Sequence, residues 1–228
     1  MDQHPAIELR GLVRHFGERT VLRQVSVSVP AGATLAVLGR NGAGKSTLLR
    51  ILATLLRPHA GEVSVLGEPL PRRAWAVRGR LGLLAHEPLL YRDLSGRENL
   101  GYHARLHGVA PRRVEDVLDA VGMRERADEP VRQLSRGMVQ RLAICRTILH
   151  SPRVLLLDEP LANLDPAATD LVGPLIGRAS GATRVLTSHD PRAALAEADL
   201  VLGLEGGRAA FVTAPDRVEP AALERLYA

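Results

Sequence analysis

The stretch Gly39–Thr47 constrains the fold of this chain most, because its sequence, GRNGAGKST, matches the pattern G-x-x-x-x-G-K-[ST]. Ahead of it, Thr34–Leu38 is a short apolar run typical of a buried strand, and Ser46–Leu56 carries apolar residues at helical spacing. A strand, a glycine-rich loop and a helix, in this order, are the context that a phosphate-binding loop requires. The sequence therefore predicts an α/β fold with a phosphate site at this loop.

The residue types in the loop suit polyphosphate binding. Glycines adopt backbone conformations that a Cβ penalises, so successive N–H groups can turn toward phosphate oxygens at a helix N-terminus. The Lys45 ammonium is expected to reach the β- and γ-phosphates, and the Ser46 hydroxyl to ligate Mg²⁺. The residues predicted to contact the nucleotide here are Gly39, Asn41, Gly42, Ala43, Gly44, Lys45, Ser46 and Thr47.

A glycine-rich turn that matches by chance is the alternative to a phosphate loop. Lys45 argues against it, because it is the only lysine among the thirty Lys and Arg residues of the chain. A sequence that uses arginine everywhere else is expected to need a compact ammonium at this position, which a guanidinium does not replace.

Composition limits the class of protein. A chain of 228 residues with 46% hydrophobic residues supports one domain with a sizeable core. The net charge is +5, but the arginines are interspersed with acids, so nucleic acid is not expected as a partner. The single cysteine, Cys145, fits a reducing compartment. The start, MDQHPAIELR, lacks a signal-peptide pattern and no run approaches the ~20 apolar residues of a membrane span, so a cytoplasmic location is expected.

Acidic and histidine side chains follow two later apolar runs. Asp158 and Glu159 come directly after Val154–Leu157, and His189 follows Thr183–Thr187. The carboxyl ends of strands in an α/β sheet face the ligand crevice, so Asp158 is expected to hold Mg²⁺ and Glu159 to orient and deprotonate an attacking water. His189 is a candidate γ-phosphate contact, although a lone histidine is more often structural.

Two further features are candidates for nucleotide contact. Ser135 is expected to cap a helix that runs to about His150, and Gly137 in its first turn allows close approach of an anion. Upstream, Phe16 supplies a flat ring on which adenine can stack. The alternatives are a merely capped helix and a core or edge phenylalanine.

The phosphate loop, the helix opening with LSRGM at 134–138, the acid-tipped strand, the loop Ala162–Asp165 and His189 resemble, in order and spacing, the nucleotide-binding subunits of ABC transporters. The resemblance covers essentially the whole chain as one ABC ATPase domain, 1–228. It implies a RecA-like P-loop NTPase core with an antiparallel β subdomain, at 1–86 and 153–228, and a helical signature subdomain at 87–152.

The resemblance also implies activity and partners. ATP and Mg²⁺ are the implied cofactors, and ATP hydrolysis is the implied reaction. Two copies are expected to sandwich two ATP molecules head to tail, with Ser135 and Gly137 of one copy capping the γ-phosphate held by Lys45 of the other. Integral membrane permease subunits are the implied partners, which would place the protein on the inner face of the cell membrane.

Individual roles follow from the same resemblance. Glu159 matches the catalytic base, His189 the γ-phosphate contact, Phe16 the adenine-stacking aromatic, and Asp165 the aspartate that couples the two sites. His86 stands where the family usually has a glutamine that touches Mg²⁺ and the attacking water. Histidine donates and accepts hydrogen bonds, but it also titrates near neutral pH.

The segments at 86–91 and 98–109 are similar to the haem exporter ATP-binding subunit of cytochrome c maturation. We therefore expect the ATPase subunit of an export complex serving cytochrome c biogenesis, with another small-molecule or drug exporter as the alternative. A soluble ABC-type protein acting on ribosomes or DNA usually carries two cassettes or a long coiled-coil insertion, and this chain has neither. A binding module without hydrolysis is disfavoured by the presence of Lys45, Asp158 and Glu159.

Overall fold

The computed structural model describes residues 5–227; residues 1–4, which open the segment without a signal-peptide pattern, and Ala228 lie outside it. The strands are β1 (Ile7–Phe16), β2 (Arg19–Val29), β3 (Thr34–Leu38), β4 (Ala60–Val65), β5 (Glu68–Leu70), β6 (Leu81–Leu84), β7 (Val154–Asp158), β8 (Thr183–Thr187), β9 (Leu200–Glu205) and β10 (Arg208–Thr213). The helices are α1 (Lys45–Leu52), α2 (Ala74–Arg78), α3 (Gly96–His107), α4 (Arg112–Ala120), α5 (Arg136–Ile148), α6 (Pro166–Ile176), α7 (Pro191–Glu197) and α8 (Pro220–Tyr227). Among the helices described, none has the length and apolarity that crossing a bilayer requires.

The larger sheet has the strand order β10-β9-β3-β8-β7-β6. All neighbours pair in parallel except β9 and β10, which form an antiparallel hairpin. Because β3, β8 and β7 are adjacent and parallel, the loops that leave their carboxyl ends meet at one edge of the sheet. The phosphate loop, the acids after β7 and the histidine after β8 therefore lie at the same edge.

The smaller sheet is antiparallel, with the order β2-β1-β4-β5. Its first two strands form an antiparallel hairpin. The register pairs Ile7 with Val29 and Phe16 with Arg19, so Phe16 lies at the tight end of the hairpin.

Two apolar cores lie on the two faces of the parallel sheet, and alternate residues of each strand enter different cores. On β3, Leu35 and Val37 pack toward α1 and the antiparallel sheet, whereas Ala36 and Leu38 pack toward the helices α3 to α6. Burial on both faces explains why β3, β7 and β8 are nearly continuous apolar runs.

Helix α1 is shorter than predicted. The prediction of a helix to Leu56 is wrong, because α1 ends at Leu52 and Thr54 adopts a left-handed backbone with φ of 64°. The Leu55 and Leu56 N–H groups both donate to the Arg50 carbonyl, which closes the last turn. Leu55 consequently points outward and is 60% exposed instead of joining the core.

Helix α3 begins with a capping box. The Ser95 hydroxyl accepts a hydrogen bond from the Glu98 N–H, and the Glu98 carboxylate accepts one from the Ser95 N–H. One turn on, the fully buried Asn99 side chain accepts from the Tyr91 N–H at 2.8 Å and donates to the Tyr91 and Ser95 carbonyls. Asn99 thereby fixes the segment between β6 and α3.

Replacing Asn99 with alanine is expected to destabilise the fold by about 2–3 kcal/mol, because its buried side chain loses three hydrogen bonds, to the Tyr91 N–H and to the Tyr91 and Ser95 carbonyls, at roughly 1 kcal/mol each. Chemical unfolding measured by circular dichroism, with Arg105→Ala on the exposed face of the same helix as control, tests this. A midpoint for Asn99→Ala that matches the control would contradict the structural role given to this side chain.

Candidate nucleotide-binding and catalytic site

The backbone of the phosphate loop requires glycine at two positions. Gly39 has φ of 144°, and a Cβ there would overlap the Leu204 carbonyl oxygen. Gly44 has φ of 108°, and its Cβ would lie 2.7 Å from a Leu22 methyl carbon. L-side chains avoid this region of φ, so both positions combine backbone strain with a steric clash for any other residue. Gly44 then leads directly into α1.

The Lys45 side chain lies folded back under the loop. It is only 8% exposed, and its Nζ donates to the carbonyl oxygens of Gly39 and Arg40. Burial lowers the pKa of this ammonium, while the charges of Glu159 and Asp158 act in the opposite direction. The interaction with both carboxylates places the ammonium close to the acids that follow β7.

Asp158 is held by a residue that the sequence analysis did not single out. The fully buried Thr187 hydroxyl donates to Asp158 Oδ1 at 2.6 Å, across the paired ends of β7 and β8. The Glu159 N–H in turn donates to the Thr187 hydroxyl at 3.2 Å. Thr187 therefore orients one carboxylate oxygen of Asp158. The sequence signal that could have identified Thr187 is a polar residue at the end of β8, the strand next to the one that ends in Asp158.

The structure brings Glu159 and His189 into direct contact, with 2.6 Å between Glu159 Oε1 and His189 Nε2. Glu159 has φ of 53°, a strained left-handed conformation for a residue with a side chain. This conformation ends β7 and turns the carboxylate toward the neighbouring β8 loop. His189 is the more exposed partner, at 59% against 20% for Glu159.

An open cavity of about 820 Å³ connects several of the candidate residues. His86, which is exposed and follows β6, lines it together with Asp158 and Glu159. Arg136 and Gln140 of α5 also line it, and the Gln140 amide donates to the Pro160 carbonyl at 2.9 Å. His86 is thus positioned within the same cavity as both acids.

The helix-start residues have local structural partners. The Ser135 hydroxyl accepts from the Met138 N–H at 3.3 Å and caps α5. Asp165 caps α6 by accepting from the Ala168 N–H at 2.7 Å. A Cβ on Gly137 would lie 3.0 Å from the Asn163 carbonyl, so the start of α5 packs closely against the loop after β7.

Phe16 is 45% exposed, and the Arg14 guanidinium lies 4.7 Å from its ring centroid. Arg14 is held there by a hydrogen bond to the Arg57 carbonyl at 2.9 Å. A base that stacks on Phe16 therefore has to use the opposite face of the ring or displace Arg14.

The family model described as ABC transporter matches residues 22–162, more than half of the chain, and this chain belongs to that family. Its relatives carry the names of ATP-binding subunits. Nod factor export ATP-binding protein I of Sinorhizobium fredii is 37% identical over 89% of this chain, and daunorubicin resistance ATP-binding protein DrrA3 of Streptomyces coeruleorubidus is 38% identical over 89%. The phosphonates import ATP-binding protein PhnC of Anaeromyxobacter dehalogenans is 39% identical over 91%.

The chain spans 61%, 66% and 45% of the lengths of these three relatives. Solved structures match it more completely. An ATP-binding subunit of an ABC transporter superposes with a TM-score of 0.87, 27% identity and coverage of 97% of this chain and 98% of that one. The cassette MJ0796, solved as a dimer with ADP and phosphate, superposes at 0.81 with 23% identity, covering 92% and 98%. The fold is thus the ABC ATPase fold, which confirms the predicted α/β class.

Proposed function

We propose that this chain is the ATP-hydrolysing subunit of an ABC export complex. The observation that supports this most strongly is the contact between Glu159 and His189, beside Asp158 and within electrostatic reach of Lys45. A base, a γ-phosphate contact, a metal-binding acid and a phosphate-binding cation are the groups that phosphoryl transfer to water requires.

In this mechanism Glu159 orients the attacking water and accepts its proton. His189 contacts the Glu159 carboxylate through Nε2 at 2.6 Å, and its imidazole N–H would turn to a γ-phosphate oxygen of bound ATP. Lys45 and the loop amides stabilise the charge on the transferred phosphoryl group. Phe16 stacks on adenine, and Asn41, Ala43 and Thr47 complete the contacts of the phosphate loop.

The chain's oxygen ligands fit Mg²⁺. The exposed Ser46 hydroxyl lies in the first turn of α1, and Asp158 keeps one carboxylate oxygen outside its hydrogen bond to Thr187. Among the described residues, no cluster of three or more His, Cys, Asp or Glu forms a metal cage. These two residues would therefore hold the ion together with phosphate oxygens, and the ion would neutralise phosphate charge.

We also propose the head-to-tail dimer. Ser135 and Gly137 lie at an N-terminal helix end, whose N–H groups favour an anion such as a γ-phosphate held by a second copy. Asp165, at the end of the loop after β7, would transmit occupancy between the two sites. Residues 87–152 would move as a helical subdomain against the core formed by 1–86 and 153–228.

The partner in this proposal is an integral membrane permease, which would hold this chain on the cytoplasmic face of the membrane. Two of the relatives named above are an export protein and a drug-resistance protein, which supports an exporter. Within that class we propose haem handling for cytochrome c biogenesis, on the sequence segments at 86–91 and 98–109. None of the relatives named above carries a haem-related name, and a drug or other small-molecule exporter is the alternative.

A capture experiment tests the partner and cargo class. Tagged Glu159→Gln protein, held with ATP and Mg²⁺, is expected to co-purify with a membrane permease from native membranes in mild detergent. A haem-handling permease supports the cytochrome c assignment, and a different export permease contradicts it but retains the mechanism. Ribosomes or DNA in place of a membrane protein would contradict the transport function itself.

A further inference from the structure

Side chains of α5 and of the residue two positions beyond it bind the outer edge of the parallel sheet. Strand β6 is the edge strand, and its carbonyls at Leu81 and Leu83 face away from β7. His150 Nε2 lies 2.9 Å from the Leu81 oxygen, and the Arg146 guanidinium donates to the Leu83 oxygen at 2.6 Å. The Thr147 hydroxyl also contacts the Leu83 oxygen, at 3.1 Å.

The close approach of α5 to β6 depends on a glycine. A Cβ on Gly82 would lie 2.6 Å from the Thr147 carbonyl oxygen, so a larger residue would push the helix away. Since β6 is only four residues long and ends two residues before His86, its position determines where His86 enters the cavity with Asp158 and Glu159.

Two histidines of helix α3, His103 and His107, pack against the contact between α5 and β6. The His107 and His150 rings stack, with centroids 4.0 Å apart and 12° between their planes. His103 lies one turn earlier on α3 and interacts electrostatically with both rings and with Arg146. These four residues, His103, His107, Arg146 and His150, are called the β6 joint below.

The β6 joint contains basic groups without a counter-charge. Its electrostatic neighbours are its own members, and no carboxylate contributes among the described residues. Two further titratable groups border it: the Tyr102 ring meets the edge of His103 at 5.5 Å, and Arg113 of α4 donates to the Leu149 carbonyl beside His150 at 3.5 Å. Three buried nitrogens have no hydrogen-bond partner in the described chain: Nε2 of His103, Nε of Arg146 and Nδ1 of His150.

The tautomer of His150 follows from its partner. A carbonyl oxygen only accepts, so Nε2 carries the proton and Nδ1 carries a lone pair. Protonating Nδ1 would place a buried N–H without an acceptor beside a stacked imidazole and the Arg146 guanidinium. The joint as observed therefore fits neutral imidazoles.

We propose that Arg146 and His150 are positioning residues that hold β6, and through it His86, and that protonation of the surrounding imidazoles opens this contact. The proposal rests on the role proposed above for His86 in ATP hydrolysis. It makes the joint a proton-sensitive connection between the helix that starts at Ser135 and the strand that leads to His86.

The direction of the pH effect follows from burial. Desolvation, aided by Arg146, lowers the pKa of His103 to about 4 and lowers the pKa values of His107 and His150 below 6.5. The unfolded chain thus binds protons more readily than the folded one. The contribution of these neutral imidazoles to the stability of the fold is therefore complete above about pH 6.5, and it is lost as the pH falls toward 4.

Two substitutions of His150 separate its hydrogen bond from its charge. His150→Gln keeps a donor for the Leu81 carbonyl and cannot titrate, whereas His150→Phe keeps a ring for stacking and loses the donor. At pH 8 we expect His150→Phe to lower kcat by about threefold to tenfold, with KM for ATP unchanged. At the same pH, His150→Gln should keep a kcat close to that of the wild type. Between pH 7.5 and 5.5, His150→Gln should lose less activity than the wild type.

Hydrogen exchange of the segment 81–90, measured without nucleotide, tests the joint independently of catalysis. After correction for the intrinsic rate, exchange should be faster in His150→Phe than in the other two proteins, and acidification should accelerate it more in wild type than in His150→Gln. Equal protection in all three proteins, or one pH dependence shared by wild type and His150→Gln, would overturn the proposal. A chain without ATPase activity that still shows the exchange differences would overturn the proposed function and leave the joint standing.

Discussion

Replacing Glu159 with glutamine is expected to lower the rate of ATP hydrolysis by about 10²–10⁴-fold, the range that a positioned general base contributes. Glutamine has nearly the same shape and can still meet His189, so the site should retain its geometry. It cannot accept the proton of the attacking water. The structural effect of the substitution should stay local for two reasons. The backbone conformation of residue 159, with φ of 53°, is set by the turn after β7, and the side chain at this position lies 2.6 Å from His189.

ATP binding should survive this substitution, because the phosphate loop and Lys45 are unchanged. Phosphate release measures turnover, and a fluorescent ATP analogue measures affinity in the same preparation. Gel filtration with ATP should reveal an accumulated dimer, since binding closes it and hydrolysis no longer reopens it. Glu125→Gln, which removes an exposed carboxylate of the helical region, is the matched control. Undiminished hydrolysis in Glu159→Gln would refute the role proposed for this carboxylate.

The local parts of the site were predictable from the sequence because each is carried by a short stretch. Gly39–Thr47 forms its loop between a strand and a helix as expected, and the acids follow β7 at the sheet edge that also receives His189. The Ser135 cap was likewise predictable, because an N-cap acts within three residues of its own position.

The parts that the sequence analysis missed join residues far apart in the chain. Thr187 meets Asp158 across 29 positions, and His150 meets Leu81 across 69. Such contacts depend on strand order, which periodicity does not encode. Arg14 likewise meets the Arg57 carbonyl across 43 positions, because β1 pairs with β4.

Helix α1 shows a limit of another kind. Its apolar spacing continues to Leu56, but the chain leaves the helix at Leu52 and turns through Thr54. Helical spacing describes which residues would share a face, and it does not register a left-handed residue that ends the helix. Leu55 is consequently exposed, although it continues the apolar spacing of the helix.

Replacing Lys45 with arginine is expected to abolish most ATP binding even though the charge is kept. The ammonium lies under the loop, 8% exposed, between two backbone carbonyls. A planar guanidinium is larger than an ammonium, so it does not fit this space and cannot place a compact charge there. Losing a charge-assisted hydrogen bond to phosphate costs about 1.5–3 kcal/mol, so affinity should fall by about 10- to 150-fold, with Lys45→Ala behaving similarly.

The comparison with Arg50→Lys makes this test specific. Arg50 is exposed on the same helix, so exchanging its guanidinium for an ammonium alters the same kind of group without touching the loop. Titration with a fluorescent ATP analogue should give wild-type affinity for Arg50→Lys and weak binding for Lys45→Arg. Since Lys45 is the only lysine of the chain, this outcome would explain its retention among 29 arginines. Wild-type affinity in Lys45→Arg would instead show that any cation serves, and it would remove the chemical reason for the single lysine.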